Sequence, residues 1–529
     1  MRQLVLAIWV TFLPIQNDFG RLEVTVRDAG TRQGVVGVPV TLTASTGNEV
    51  RIPEATVLTD PRGVAVFPSL PLGTYFLKSD GTGYKPLSFT QYLFIEAGVR
   101  KTVEIPINQA AIVTGRVLDP AGKPLPGSTV YLLTTVYVGG RPALRSPGRL
   151  SETRADGSFR FADIPFGEYY LQIDNSAALA QPRATDLPRY IFYPAATEFS
   201  GAAKLAVQSR EVSVGNIQIP NTQVFKISGT VISTSGQPSA SFYLAPASAS
   251  RPIEPSLLFA RITSSTDRGE LPFEIGGLVP GSYVLYHVSR SPSTELVGRV
   301  PITVEDRDVE GIRFLVKPNA EIRGHVLWGS LASELFGNVS VSVQPKEILP
   351  PLIGVSVAFS PHPIDRSGVF VVPEMVEGVR YGISVLALPV GAYVSDVRLG
   401  NASILNEGSF VARSSEDSLE IHIASPGGTF GGTVRAAANQ AVPKATVVVV
   451  PDWIRHGNSI FYRRVTSDAN GQFTVSGIAP GEYQIFAFAA APPAGAEEDA
   501  DFMAQYVGKG LSVRATAGAA IETPLRLIP

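Results

Sequence analysis

Short stretches in which apolar and polar residues alternate recur along the chain, and five of them share one layout. Alternation with a period of two residues is typical of β-strands that bury one face. The stretches follow each other at intervals of roughly 100 residues, which indicates an internal repeat. They are Leu22–Val26, Val113–Val117, Ile227–Val231, Ile322–Val326 and Phe430–Val434, and the last four contain a glycine. We therefore predict five copies of one unit, each opening with a strand.

An acidic turn that ends in glycine follows later in every copy. An aspartate begins the turn, and a phenylalanine comes two to four residues after the glycine. The turns are Asp60–Gly63, Asp156–Gly157, Asp267–Gly269, Asp365–Gly368 and Asp468–Gly471, followed by Phe67, Phe159, Phe273, Phe370 and Phe473. Aspartate and glycine suit a tight hairpin turn, through a side-chain bond to the backbone and a positive φ. A calcium loop would need several oxygen ligands, so we predict turns and no metal site.

A tyrosine that follows a glycine by two or three residues closes the shared pattern. The five tyrosines are Tyr75, Tyr169, Tyr283, Tyr381 and Tyr483, with the spacing looser at Tyr381. A glycine turn feeding a strand that starts with tyrosine is typical of a tyrosine corner, in which the ring packs in the core and the hydroxyl caps a loop. We predict that these tyrosines are structural.

The repeat predicts an all-β chain of tandem immunoglobulin-like or prealbumin-like β-sandwich domains in a row, since such domains run to about 100 residues. Short linkers predict that consecutive sandwiches stack on one another. The predicted boundaries are a signal peptide at 1–18, and sandwiches at 19–109, 110–221, 222–318, 319–425 and 426–529.

The amino-acid composition and the net charge exclude several classes of function. The 50 glycines and 42 prolines suit many short strands joined by turns. The net charge is −2 without a basic block, so we expect no nucleic acid partner. The chain has no cysteine, which excludes disulfides, thiolate zinc sites and a cysteine nucleophile.

The N-terminus resembles a signal peptide. Met1-Arg2 precedes the apolar run Leu4–Leu13, which is too short to span a bilayer. The alternative is a buried N-terminal strand. No second apolar run reaches membrane length. We therefore expect a protein that does not span the membrane and is exported to the periplasm, the cell surface or the extracellular medium.

The repeat resembles the carboxypeptidase regulatory-like family, which is close to the Cna B-type and transthyretin-like domains. The matching motifs run from Gly115 to Tyr169 and from Gly432 to Tyr483; the first and third copies match less well, and the fourth matches weakly. The resemblance implies a carbohydrate-binding-like, prealbumin-like fold. It also implies an accessory or spacer role on exported bacterial proteins.

The sequence contains none of the catalytic motifs that we sought. The five histidines, His287, His325, His362, His422 and His456, are scattered, and none has a glutamate three residues on. Neither a G-x-S-x-G elbow nor a phosphate loop occurs. We expect no enzyme, cofactor or metal, and we expect each histidine to be exposed or hydrogen-bonded.

Two aromatic insertions are the candidate binding sites. Tyr190 and Tyr193 lie in the first, and Trp453 and Tyr462 lie in the second. Exposed rings of this kind could stack on sugars, whereas the alternative is that they pack the insertions against their own sheets. The acidic run 497–501 is expected to be a solvated loop.

Two functions follow from these observations. The first is a non-catalytic structural or interaction module, and the alternative is a carbohydrate-binding protein that uses the loop aromatics. The expected partner is a polysaccharide or another surface protein, and the chain is expected to be a monomer.

Overall fold

The structure is a computed structural model. It describes residues 19–29, 31–44, 54–79, 87–146, 148–179, 187–233, 241–247, 252–253, 256–258, 261–262, 270–290, 295–316, 319–329, 338–350, 361–413, 418–437 and 439–529. The predicted signal peptide and the turn Asp267–Gly269 lie outside these residues. Within them, no helix is long and apolar enough to cross a bilayer.

The chain forms two compact units. The first comprises Met1–Pro126, Ser151–Tyr169 and Ala203–Gln218, and the second comprises Gly127–Leu150, Tyr170–Ala202 and Ile219–Pro529. The division passes through the range 110–221, so the five predicted domain boundaries stay a prediction.

The first sandwich lies wholly in the first unit. Its strands are β1 (Phe19–Asp28), β2 (Pro39–Ala44), β3 (Ala55–Leu58), β4 (Val64–Pro71), β5 (Gly73–Ser79), β6 (Leu87–Ile95) and β7 (Arg100–Ile107). They form the sheets β4-β1-β7 and β3-β2-β5-β6. The inward residues of the two sheets, such as Leu22, Leu42 and Leu77, meet in one buried cluster.

The range 110–221 contributes one sheet to each unit. Its elements are β8 (Ala110–Leu118), β9 (Thr129–Val138), β10 (Arg141–Arg145), β11 (Leu150–Glu152), β12 (Ser158–Pro165), β13 (Gly167–Asp174), α1 (Ser176–Leu179), β14 (Tyr190–Phe192), β15 (Leu205–Val207) and β16 (Glu211–Gln218). The first unit contains the sheet β12-β8-β16. The second contains strands in the order β10-β9-β13-β14, with β13 included from Tyr170 onward.

The third sandwich has the sheets β20-β21-β17-β24 and β19-β18-β22-β23. Its strands are β17 (Phe225–Ser233), β18 (Ser241–Pro246), β19 (Ser256–Leu258), β20 (Arg261–Ile262), β21 (Glu270–Leu278), β22 (Gly281–Arg290), β23 (Glu295–Val304) and β24 (Val309–Val316).

The fourth sandwich has the sheets β28-β25-β33-β30-β31 and β27-β26-β29-β32. Its strands are β25 (Ala320–Leu327), β26 (Ser340–Pro345), β27 (His362–Pro363), β28 (Val369–Met375), β29 (Arg380–Leu386), β30 (Tyr393–Leu399), β31 (Ala402–Ser403), β32 (Ser409–Val411) and β33 (Leu419–Ala424).

The fifth sandwich joins its strands in one eight-stranded sheet, in the order β36-β35-β38-β41-β34-β37, with β39 on β38 and β40 on β34. Its elements are β34 (Gly428–Arg435), β35 (Thr446–Pro451), β36 (Arg463–Thr466), β37 (Gln472–Ile478), β38 (Gly481–Phe488), α2 (Ala500–Ala504), β39 (Leu511–Ala515), β40 (Ala520–Glu522) and β41 (Leu525–Ile528). The chain is therefore all-β and consists of tandem β-sandwiches.

One pairing pattern recurs throughout and explains the sequence repeat. The opening strand of each copy pairs antiparallel with the strand that follows the acidic turn, and parallel with a closing strand. The glycine of the opening strand lies directly opposite the phenylalanine in four copies: Gly115 and Phe159, Gly229 and Phe273, Gly324 and Phe370, Gly432 and Phe473. In the first copy the equivalent pair is Val24 and Ala65. In this pair the larger side chain, Val24, is on the opening strand, whereas in the other four copies the larger side chain is the phenylalanine on the strand after the acidic turn.

The acidic turns that the structure describes are hydrogen-bonded as predicted. Asp60 Oδ1 accepts hydrogen bonds from the backbone N–H groups of Arg62 and Val64, at 2.8 and 2.9 Å. Asp365 and Asp468 accept the equivalent pair of bonds. The donors that Val64 supplies to Asp60, and that Ser367 supplies to Asp365, hold the pKa of each carboxyl below its ordinary value. These aspartates therefore stabilise turns.

The tyrosine corners are confirmed. The hydroxyls of four of the five tyrosines donate to the carbonyl oxygen four residues upstream, at 2.7–2.9 Å: Tyr75, Tyr169, Tyr283 and Tyr483. In the fourth copy, the Tyr381 hydroxyl instead accepts a hydrogen bond from the Val376 N–H at 2.9 Å. Burial raises the pKa of Tyr483 to about 12, so its hydroxyl stays a donor.

Apolar cores continue from one sandwich to the next inside the second unit. One buried cluster joins Tyr286 and Val288 of β22 to Val341 and Ile383 of the fourth sandwich. A second cluster joins Leu285 of β22 to side chains of the β10-β9-β13-β14 sheet. The junctions between these sandwiches are therefore packed like domain interiors.

Contacts also join sandwiches that are not consecutive in sequence. The Tyr137 ring at the end of β9 meets the Phe502 ring of α2 edge-on, with centroids 5.8 Å apart. Stacking of consecutive sandwiches, as the linkers predicted, is therefore only part of the packing in the second unit.

Candidate functional site

The first insertion of the fifth sandwich follows β35 and folds as two short 3-10 turns. Asp452 caps the turn Trp453–Arg455 by accepting a hydrogen bond from the Arg455 N–H at 3.2 Å. Asn458 caps the turn Ser459–Phe461 by accepting from the Ile460 N–H at 3.0 Å. Asparagine and aspartate are favoured at such positions because their side chains satisfy free backbone donors. The caps fix the path of the insertion and hold Trp453 at its outer edge.

A second insertion, between β38 and β39, carries α2. Arg464 anchors this segment: its Nε donates to Glu497 Oε1 at 3.2 Å, and its Nη1 donates to the Pro492 carbonyl at 3.0 Å. Glu497 is only 9% exposed and Asp499 is also buried. The prediction of a solvated acidic loop at 497–501 is therefore wrong for these two residues, because a basic strand residue and a helix cap use them.

The two insertions enclose a groove of about 490 Å³. Trp453 and His456 of the first insertion line it, together with Phe486 of β38. Met503, Ala504 and Val507 of the second insertion also line it. The lining is mainly apolar, and its polar members include Asp452, Glu482, Gln484 and Ser512. Volume and lining fall within the range of ligand-binding clefts.

Two large apolar side chains of this groove face solvent. Trp453 is 82% exposed and Val507 is 78% exposed. Ile454 and Leu511, close to them in sequence, are also exposed. Exposed apolar side chains that are grouped beside a groove mark interaction surfaces more often than scattered ones do.

His456 adds no positive charge to the groove on the Trp453 side. Burial lowers the pKa of His456, and the nearby Asp452 carboxylate opposes that shift only in part. The imidazole is therefore uncharged at neutral pH.

Tyr462 supports the groove from inside. It is 8% exposed, and its hydroxyl donates to the His456 carbonyl at 3.0 Å. Its ring meets that of His456 edge-on. Burial raises the pKa of the phenol. Of the two candidates in this insertion, Trp453 is thus the one that solvent reaches freely.

The Tyr190 and Tyr193 insertion is packed more tightly. Tyr190 is 4% exposed, and its hydroxyl donates to the Leu244 carbonyl at 3.2 Å. Tyr193 is half-buried. Phe199 contacts the rings of Phe192 and Tyr170, with centroids 5.7 and 5.0 Å apart. The four candidates therefore lie in two separate places, 190–193 and 453–462, and differ sharply in accessibility.

The histidines of the described residues do not form a cluster. Among the described residues, no group of three or more histidine, cysteine, aspartate or glutamate side chains is placed to hold a metal. His325 Nε2 lies 2.7 Å from the Ser367 carbonyl, as expected of a hydrogen-bonded histidine. His287 departs from that expectation: it is fully buried, and neither ring nitrogen has a partner among the described residues.

No family model matches the sequence, and no curated protein matches it. Parts of solved structures are similar. The Bacillus anthracis TIE protein shares 13% identity over 57% of this chain and 51% of its own, with a TM-score of 0.18. A minor pilin of Streptococcus agalactiae shares 12% over 38% and 96%, with a TM-score of 0.20. The major pilin subunit of Bacillus cereus shares 10% over 96% and 99%, with a TM-score of 0.15.

The chain thus spans about half the length of the first of these proteins. At these TM-scores, the fold assignment rests on the strand pairing of the chain itself, which is that of tandem β-sandwiches.

Proposed function

We propose that this chain is an exported, non-catalytic structural protein of the cell surface or periplasm, whose coupled sandwiches hold a binding groove in a fixed position. The observation that carries the proposal is the continuity of the apolar cores along the second unit. A junction packed like a domain interior resists bending and separation, whereas a hydrated linker does not. Such coupling is useful in a spacer and is not needed for chemistry at one site.

Scattering from the full chain in solution tests the structural part of this proposal. Tyr286→Asp places a charge in the core that β22 shares with the fourth sandwich. We expect this variant to gain flexibility, seen as a larger radius of gyration and a less compact scattering profile, at a temperature where it keeps its β-sheet circular dichroism. An unchanged profile in the folded variant would contradict the proposal.

Export needs its own experiment, since residues 1–18 lie outside the described residues. A fusion of residues 1–30 to a reporter enzyme that is active only outside the cytoplasm should be active in a bacterial host. The same fusion with Leu6→Arg, which interrupts the apolar run, should be inactive. Equal activity of the two fusions, or no activity in either, would contradict export through this segment.

Carbohydrate binding is the second candidate function, and the exposed Trp453 beside the groove supports it. An accessible indole beside a cleft provides a flat apolar face for a pyranose ring. Such a site would make the fifth sandwich the binding end of a non-catalytic protein.

Pull-down on insoluble polysaccharides tests this alternative. We expect Trp453→Ala to abolish retention of the full chain. Val390→Ala, which truncates another exposed apolar side chain outside the groove, should leave retention unchanged. Retention that both variants keep, or no retention of the unmodified chain on any glycan, would exclude sugar binding at Trp453.

A further inference from the structure

A second cleft, of about 330 Å³, lies within the second unit beside the 190–193 insertion. Its lining includes the aromatic residues Phe199 and Tyr283 and the charged residues Arg189 and Glu198. It shares no lining residue with the Trp453 groove. A concave site that combines aromatic rings with a few charged groups is the usual form of a small-ligand site.

Arg189 is the unusual member of this cleft, because it is a cation that is only 2% exposed. Its Nε donates to the Gly276 carbonyl at 2.9 Å, and its Nη1 donates to Ser176 Oγ at 2.6 Å. Ser176 Oγ in turn donates to Asp174 Oδ1, so a hydroxyl links the guanidinium to this carboxylate. No described residue accepts a hydrogen bond from Nη2 or forms an ion pair with the guanidinium.

The backbone around Arg189 fixes this side chain in place. The Arg189 N–H donates to the Gly277 carbonyl at 2.6 Å, and the Arg189 carbonyl accepts from the Asn175 N–H at 2.8 Å. Gly277 has a φ of +79°, and a Cβ there would lie 2.8 Å from the Leu187 carbonyl oxygen. This close approach holds the guanidinium in place before a ligand binds. Binding therefore costs little conformational entropy at this side chain.

A buried guanidinium without a paired carboxylate is costly, and its planar fork matches the two oxygens of a carboxylate. An anion in the cleft would give Nη2 an acceptor, which no described residue provides. The mouth has a different character: the exposed Glu198 carboxylate accepts a hydrogen bond from Ser200 Oγ at 3.2 Å, and Ser282 adds a further hydroxyl. Hydroxyl groups of a ligand suit this mouth, because they can donate to the Glu198 carboxylate and bond with the Ser282 hydroxyl.

We propose that this cleft binds a uronic acid residue of an acidic polysaccharide. The carboxylate of the sugar lies against Arg189, its ring lies against Phe199, and its hydroxyls bond to Glu198 and Ser282. An acidic peptide fits less well, because its glutamate side chains offer carboxylates but no hydroxyls to bond with Glu198 and Ser282. The inference rests on the carbohydrate-binding alternative above, but it assigns a different site and a charged class of sugar.

Calorimetric titration of the full chain tests the proposal with three probes: trigalacturonic acid, the uncharged galactose trimer, and a triglutamate peptide. We expect that, of these three probes, only trigalacturonic acid binds. Ala247→Trp fills the cleft from an exposed lining position, and we expect it to weaken that binding by about tenfold or more. Val390→Trp, the matched control at an exposed position outside the cleft, should leave it unchanged.

Arg189→Lys keeps the charge and loses the fork, so we expect weaker binding by about tenfold, with folding checked by circular dichroism. If the Arg189→Lys variant does not fold, the effect of Ala247→Trp on the binding of trigalacturonic acid is the deciding measurement. The proposal is overturned if trigalacturonic acid does not bind, if the neutral trimer or the peptide binds equally well, or if Ala247→Trp has no effect. Trp453→Ala should not change this binding, so sugar binding at the Trp453 groove can fail or stand independently.

Discussion

Leu285 and Tyr286 are neighbours on strand β22, yet their side chains belong to two different cores. Leu285 packs in the cluster that contains the third sandwich core and the β10-β9-β13-β14 sheet. Tyr286 packs in the cluster of the fourth sandwich. Because successive side chains of a strand point to opposite faces, β22 is buried on both sides. One strand therefore couples the third sandwich to structures on both of its faces, and this coupling is the physical basis of the structural role proposed here.

Gly324 and Phe370 provide a test of how the repeated cores are filled. They lie opposite each other on β25 and β28, and a Cβ at Gly324 would lie 2.1 Å from Cζ of the Phe370 ring. We expect Gly324→Ala to destabilise the fourth sandwich by about 1–3 kcal/mol, because the core is already full. Urea denaturation measures this loss.

The double variant Gly324→Val/Phe370→Ala reproduces the Val24 and Ala65 pair of the first sandwich. It should recover part of the stability that Gly324→Ala loses, since total volume is nearly conserved. A double variant that is less stable than Gly324→Ala would show that the pairs are not equivalent.

Tyr483 tests the tyrosine corner. Tyr483→Phe leaves the buried Ala479 carbonyl without its donor, which should cost about 1–3 kcal/mol. Tyr483→Ala also removes the ring that packs on Phe430, and it should cost about 3–5 kcal/mol. Both are large beside a typical domain stability of about 5–15 kcal/mol. Urea denaturation reads out both losses, and less than about 1 kcal/mol for Tyr483→Ala would contradict the corner.

Because His287 is buried in the third sandwich, we predict that this sandwich loses folding stability in acid. Burial between Phe242 and Phe314 lowers its pKa from 6.5 to about 4. As the pH falls, the unfolded chain therefore takes up a proton before the folded chain does. The contribution of His287 to stability is complete above about pH 6.5 and is lost between pH 6.5 and 4, by about 3 kcal/mol in total.

Urea midpoints measured across this pH range check the prediction, with His287→Phe as the control that cannot titrate. The control should lose the slope between pH 6.5 and 4. The turn aspartates act in another window, because carboxyls with lowered pKa values destabilise the fold only as pH falls below about 3.8. An equal slope in the control would contradict the assignment to His287.

The repeat was predictable because its signals are local. The Asp60 turn and the Tyr75 corner involve residues within four positions of each other, and their chemistry is set by residue type. The double burial of β22 also had a signal that we did not use, namely the unbroken apolar run around Leu285.

Contacts over long sequence distances were not predictable in this way. Glu497 pairs with Arg464, and Lys346 pairs with Glu498, and the partners of each pair are 33 or more positions apart in sequence. The α2 side of the Trp453 groove was missed for the same reason, since nothing in the sequence of 500–507 indicates where the segment docks. His287 was missed because burial of a lone histidine depends on the packing of both faces of its strand.

Hydrogen exchange of the full chain, compared between Leu285→Ala and Tyr286→Ala, tests the coupling of the sandwiches most directly. Both variants remove a buried side chain from the same strand, so each should speed exchange in the third sandwich. We predict that Tyr286→Ala also speeds exchange in β26 and β29 of the fourth sandwich, whereas Leu285→Ala leaves those strands protected. Unchanged protection of β26 and β29 in the Tyr286→Ala variant would contradict a shared core and the structural role that rests on it.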